Sequence, residues 1–211
     1  MRVWKVCASL VGLTLLLCAV AVRAEGVEAH IKRVMSSPAD YAQAQEEGRK
    51  AASFCANCHG DTGNSAYDYI PNLAGQHPAY LISQFNKFID GRRKDDFMTG
   101  MIKLMKDEDR FNAAIYYSAQ SVQSSPVRDA GLAARGKEIF GRICTGCHGA
   151  QGHGDQTHAR LAGQHEKYVT ESLDKYRKGA ADRNDPVMGS IARRLSDDDI
   201  AALAVYIPTM K

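Results

Sequence analysis

The chain has 211 residues, 45% of them hydrophobic and 24% charged, with a formal net charge of +3. Arg2, Lys5 and Arg23 lie in an N-terminal leader; without them Lys+Arg falls from 27 to 24 and equals the 24 Asp+Glu. A formally neutral remainder gives a nucleic-acid partner no electrostatic support.

Residues 1–24 read as a secretory signal. Arg2 and Lys5 form the positive start, Ala8 to Val22 the apolar stretch, and Val22-Arg23-Ala24 a cleavage site before Glu25. The apolar run is shorter than the ~18–20 residues of a spanning helix; the alternative is an uncleaved anchor. Two of the six cysteines, Cys7 and Cys18, belong to this leader, and bulky Leu17 before Cys18 does not suit a lipoprotein signal.

Glu25 to Gln45 form an N-terminal extension in which Val27, Ile31 and Val34 share one face of a short helix, either capping the first half or meeting a partner. Pro38, following Ser37, opens a second helix that runs towards Cys55. Then comes Cys55-Ala56-Asn57-Cys58-His59, a C-x-x-C-H motif that returns as Cys144-Thr145-Gly146-Cys147-His148. Two thiols three residues apart on a helical turn can each add to one vinyl group of a haem. The adjoining His is then carried beneath the ring as a ligand to iron. Each motif therefore predicts one covalent haem c, bound by Cys55 and Cys58 with His59, and by Cys144 and Cys147 with His148. A zinc site pooling the four thiols, and a thioredoxin-like dithiol, are the other chemistries of this pattern. The second needs a βαβ context, and no strand-like run flanks either motif.

Leu73-Ala74-Gly75-Gln76-His77 follows, and returns as Leu161-Ala162-Gly163-Gln164-His165. Pro78 to Ile89 predicts a helix with Tyr80, Leu81, Phe85 and Phe88 on one face and Gly91 as its stop. Met98 stands in the loop beyond it, and a last helix starts near the acidic turn Asp107-Glu108-Asp109. Residues 121–130, rich in Ser and Gln and containing Pro126, read as a linker. They separate one half at 25–120 from a second at 131–211. In the second half the helices recur over Leu132 to Ile143, over Glu166 to Lys178 with Gly179 closing it, and from Asp197 behind the N-cap Ser196. The chain is all-α, and one architecture is written twice.

The repeat also supplies a ligand for the opposite face of each iron. Aligning Asp107 with Asp197 places Met98 opposite Met188, each in a loop able to fold back over a haem. A thioether is a soft ligand that raises the haem potential. Met101 and Met105 align with Ile191 and Leu195, so neither is duplicated. A bis-histidine iron using His153 or His158 is the rival arrangement.

The leader, the two C-x-x-C-H motifs, the doubled Leu-Ala-Gly-Gln-His and the paired methionines resemble the dihaem cytochrome c4 family over nearly all of residues 45–211. The resemblance implies two tandem class I cytochrome c domains related by a pseudo-twofold axis, with His59/Met98 and His148/Met188 as ligand pairs. It also implies an electron carrier of the periplasm, peripheral to the inner membrane. Its donor would be a quinol-oxidising complex and its acceptor a terminal oxidase, with no small-molecule substrate of its own. The alternatives are the electron-transfer subunit of a dehydrogenase, such as a sulfide-oxidising flavocytochrome c, and a dihaem peroxidase. Two matched methionines argue against the peroxidase, which needs one accessible iron. The sequence departs from the family pattern in two places. The Glu25 to Gln45 extension is longer than the pattern needs, and Pro71, which stands where related domains use a proline whose carbonyl accepts the proximal His N–H, has Ala159 as its counterpart, which predicts unequal haem potentials.

Overall fold

The computed structural model describes residues 26–211; the leader, with Cys7, Cys18 and the expected cleavage site, lies outside the described residues. Among the described residues the regular elements are helices, joined by one isolated antiparallel bridge between Arg93 and Arg183. None of these helices is long and apolar enough to cross a membrane.

The same frame is built twice. In the first half the Pro38–Ala51 helix crosses the Asp107–Ser118 helix, and in the second the Ala130–Ile143 helix crosses the Asp197–Tyr206 helix. Glycine sets the depth of both crossings. A Cβ at Gly48 would lie 2.1 Å from the Asn112 carbonyl oxygen, and one at Gly136 would lie 2.1 Å from that of Ala202. The third long helix of each half, Pro78–Ile89 and Glu166–Lys178, turns its apolar face to this pair. Leu81, Phe85, Phe88, Ile102 and Tyr117 fill the first core; Ile139, Phe140, Val169, Leu195 and Leu203 fill the second.

Helix ends follow the sequence signals closely. The Ser37 side chain caps the helix begun by Pro38, Gly179 is left-handed at φ 63°, and Ser196 forms a capping box with Asp199. Three differences are physical. The Met98 and Met188 segments are helical, at Asp96–Leu104 and Pro186–Ala192, because Asp95 and Asp185 cap them. The second-half helix starts at Ala130, the last residue assigned to the linker, because the Asp129 carboxylate accepts the Leu132 N–H at 2.9 Å. In the extension, Val27–Ser36 is a helix that buries Ile31 and Val34 against Ala44, Ala79 and Ile115, with His30 stacked on Phe111 at 4.2 Å. Val27, at the first helical position, points outward and is 45% exposed.

The halves meet in a reciprocal clasp. The Gln164 side chain accepts the Asn72 N–H at 2.9 Å and donates to the Asn72 carbonyl at 3.0 Å. Gln76 does the same to Arg160, at 2.7 Å and 3.3 Å. Gln76 and Gln164 are equivalent in the repeat, as are Asn72 and Arg160, so the exchange has the signature of a pseudo-twofold axis. Arg93 and Arg183, also equivalent, face each other across it. The linker does not hang free. Ser121 accepts from the Asn64 side chain at 2.9 Å, the Ser125 N–H donates to Pro208 at 2.8 Å, and Val122 is wedged between Gly75 and Gly163.

Candidate haem-binding sites

Each motif folds as a single helical turn. Ala56–His59 and Thr145–His148 carry their histidine N–H groups back to Cys55 and Cys144 at 2.9 and 3.0 Å, and Gly60 and Gly149 end the turns at φ 80° and 78°. None of these four cysteines forms a disulfide. Burial raises the Cys55 thiol and pushes Cys144 up to about 11. A dithiol tuned for redox exchange carries a lowered pKa instead, and the helices around both motifs do not supply the βαβ context that the thioredoxin-like alternative needs. The pooled zinc alternative fails on geometry. Among the described residues no three His, Cys, Asp or Glu side chains are grouped to hold a metal ion.

The histidines are held in a defined tautomer. His59 Nδ1 lies 2.9 Å from the Pro71 carbonyl and His148 Nδ1 lies 2.8 Å from that of Ala159. A carbonyl only accepts, so Nδ1 carries the proton and Nε2 keeps the lone pair a metal requires. Both rings are buried, 6% and 8% exposed, and burial lowers both pKa values, which keeps the imidazoles neutral. Replacing Pro71 by Ala159 therefore leaves the carbonyl contact in place.

Met98 reaches the apolar cluster that also contains Cys55, Leu81, Phe85 and Phe88. It occupies the third position of its helix, where its N–H is bonded to the Asp95 carboxylate at 2.9 Å. Met188 occupies the same position of the Pro186–Ala192 helix, bonded to Asp185 at 3.0 Å. The two methionines thus stand on equivalent aspartate caps, but only Met98 packs against the apolar cluster of its own half. Met105 also touches the first cluster, but its counterpart Leu195 is a buried core residue, so its role is to fill space. Of the rival histidines, His158 lies beside the proximal ring itself, its centroid 6.1 Å from that of His148. His153 Nε2 donates to the Lys211 carbonyl at 2.8 Å, and His158 lies 3.0 Å from Asp155.

The donor set suits a covalent haem on each half: paired thiols and a neutral imidazole held by a backbone carbonyl, joined in the first half by the Met98 thioether in the same apolar cluster as Cys55. A buried polar atom points the same way. The Tyr117 hydroxyl, in the cluster shared with Cys55 and Met98, has no protein partner.

Several residues at the junction of the halves carry no warning in the sequence pattern. Arg93 donates to Gln84 at 3.0 Å and to the Tyr168 hydroxyl at 3.1 Å; Arg183 donates to Tyr176 at 3.2 Å and also to Tyr168. Tyr168 is half-buried as a residue, while its hydroxyl is enclosed by protein. Burial opposes its ionisation, but the guanidinium groups of Arg183 and Arg93 outweigh burial and bring it down to about 7. Its equivalent, Tyr80, is driven in the opposite direction by burial. Gln76 and Gln164 stood inside a duplicated motif, and that duplication was the available signal for them.

The cytochrome c family model matches residues 45–116 and 133–211. Cytochrome c4 of Pseudomonas aeruginosa is 38% identical over 172 residues, spanning 76% of this chain and 85% of that protein. A thiosulfate dehydrogenase electron acceptor of Stutzerimonas stutzeri is 31% identical over 86% of this chain and 91% of its own length. The crystal structure of reduced recombinant cytochrome c4 from Pseudomonas stutzeri superposes with a TM-score of 0.71 at 33% identity, covering 79% of this chain and 98% of that one.

Proposed function

We propose, because this chain belongs to the dihaem cytochrome c4 family, that it carries electrons in the periplasm from a quinol-oxidising complex to a terminal oxidase. It is an electron-transfer protein with two covalently attached haem c groups. Cys55 and Cys58 would attach the first and Cys144 and Cys147 the second, with His59 and Met98, and His148 and Met188, as the residues that would ligate the irons. When bound, each haem supplies a one-electron ferric/ferrous couple. The chain's own part would be to hold that couple between a fixed imidazole and a positioned thioether. Carbonyl bonds at Pro71 and Ala159 fix the two imidazoles. Aspartate caps fix the backbone of the two methionines. With Met98 and Met188 filling the second face of each iron, no position would be left for peroxide.

The observation that carries this reading is the second copy. The His–carbonyl bond and the aspartate-capped methionine of the first site both recur in the second. Two matched sites across a clasped interface suit a relay, in which one domain receives and the other delivers. The likeness to a thiosulfate dehydrogenase electron acceptor supports a second reading, in which a dehydrogenase replaces the quinol-oxidising complex as donor.

The test is a pair of stopped-flow reductions of the purified dihaem protein. One uses the quinol-oxidising complex of the same organism and the other a thiosulfate dehydrogenase with its substrate, each followed by reoxidation with the terminal oxidase. Fast reduction by the first and reoxidation by the oxidase are expected. Fast reduction by the dehydrogenase alone would transfer the assignment to the second reading.

A further inference from the structure

The clasp does more than join two domains, because of which peptide groups it grips. The carbonyl that accepts the His59 Nδ1–H belongs to the Pro71–Asn72 peptide. The N–H of that same peptide donates to Gln164 Oε1, which comes from the other domain. The mirror arrangement joins His148 to the Ala159–Arg160 peptide, and the Arg160 N–H to Gln76 Oε1. Each proximal histidine is thus one peptide unit away from a glutamine of the opposite domain. Asn72 and both glutamines are buried, between 6% and 8% exposed, so water does not compete freely for these bonds.

We infer that Gln164 and Gln76 are crossed positioning residues: each sets the hydrogen-bond strength, and through it the haem potential, at the proximal histidine of the other domain. The physical chain is short. An acceptor on a peptide N–H polarises the unit and makes its carbonyl oxygen more negative. A more negative oxygen draws harder on Nδ1–H, the imidazole becomes more electron-rich, and the ferric state is favoured. Removing the acceptor therefore raises the potential of the haem across the interface. The inference rests on the ligand roles proposed above for His59 and His148. It is independent of the identity of donor and acceptor.

The experiment is an NMR-monitored redox titration of the dihaem protein, in which each haem is followed through resonances of its own domain. Amide hydrogen exchange is measured in parallel. Gln164→Leu should raise the potential of the haem at His59, leave that at His148 unchanged, and speed exchange of the Asn72 amide. Gln76→Leu should do the reverse, with faster exchange at Arg160. Gln164→Glu keeps an acceptor and makes it anionic, so the His59 haem should shift downward, further than the His148 haem. A purely structural clasp predicts otherwise: loosening moves both haems together, and Leu and Glu shift the potential in the same direction. Either of those patterns, or no shift with exchange accelerated, overturns the relay. Loss of the histidine-ligated spectrum in the unsubstituted protein would instead overturn the ligand assignment, and the relay with it.

Discussion

At the residue scale, the supports of the two methionines are open to direct test. Asp185 bonds the N–H groups of both Val187 and Met188, at 3.1 and 3.0 Å. Asp185→Ala should cost about 0.5–2 kcal/mol in stability, the usual range for a lost N-cap. It should also weaken the iron–sulfur charge-transfer band of the second haem, as thermal melts and absorption spectra of the oxidised protein would show. An unchanged band would mean that the Met188 position does not depend on its cap. The residues legible in the sequence were those whose chemistry is tied to spacing along the chain. Cys55, Cys58 and His59 declare themselves because one helical turn brings them together. Gln76 could not be read that way, because its partner Arg160 lies 84 residues on and the bond goes to backbone, which has no sequence signature.

At the element scale, the long helices were legible because each offered at least one signal along the chain: a Ser37–Pro38 start, a Gly179 stop, an acidic first turn at Asp107 or Asp197, or the apolar face of Pro78–Ile89. The two methionine helices were not: Asp96–Leu104 and Pro186–Ala192 span only 9 and 7 residues, too few to establish a period. The glycines at the helix crossings escaped for a different reason. Gly48 and Gly136 sit in helix interiors where glycine is ordinarily a cost, and only the approach of a second helix explains them. Gly136→Ala places a Cβ 2.1 Å from a backbone oxygen and 2.7 Å from the Tyr206 Cβ, so the helices must part. We predict a loss of about 1–3 kcal/mol, the range for overpacked cores, read as a lower melting temperature with the second domain unfolding first. A gain in stability, as expected for Gly→Ala in an uncrowded helix, would contradict the crossing geometry.

At the scale of the whole molecule, the repeat announced two domains, while the way they are joined became visible only in three dimensions. Arg93, Arg183 and Tyr168 come from three separate segments and both domains. The cluster predicts a pH dependence. The folded pKa of Tyr168, about 7, lies below the ordinary tyrosine value of about 10. The ionised hydroxyl therefore contributes stability in full above about pH 10, less as the pH falls, and none below about 7. Replacing Tyr168 with Phe should flatten the stability profile between those limits in denaturant titrations. An unchanged slope would show that Tyr168 stays protonated between its arginines. A second test of the junction is Gly163→Ala, where φ is 74° and a Cβ would lie 2.3 Å from Val122. The expected result is independent unfolding of the domains in place of one cooperative transition.

The central claim is that both irons are closed by methionine, which makes the protein a carrier with two equivalent-fold but separately tuned centres. The most direct measurement is the intensity of the iron–sulfur charge-transfer band in the fully oxidised protein, compared with Met98→Ala and Met188→Ala. The account predicts a band worth two methionine-ligated haems, halved by either substitution and abolished by both. A band that survives one substitution at full strength, or that is worth only one haem in the unsubstituted protein, would contradict it.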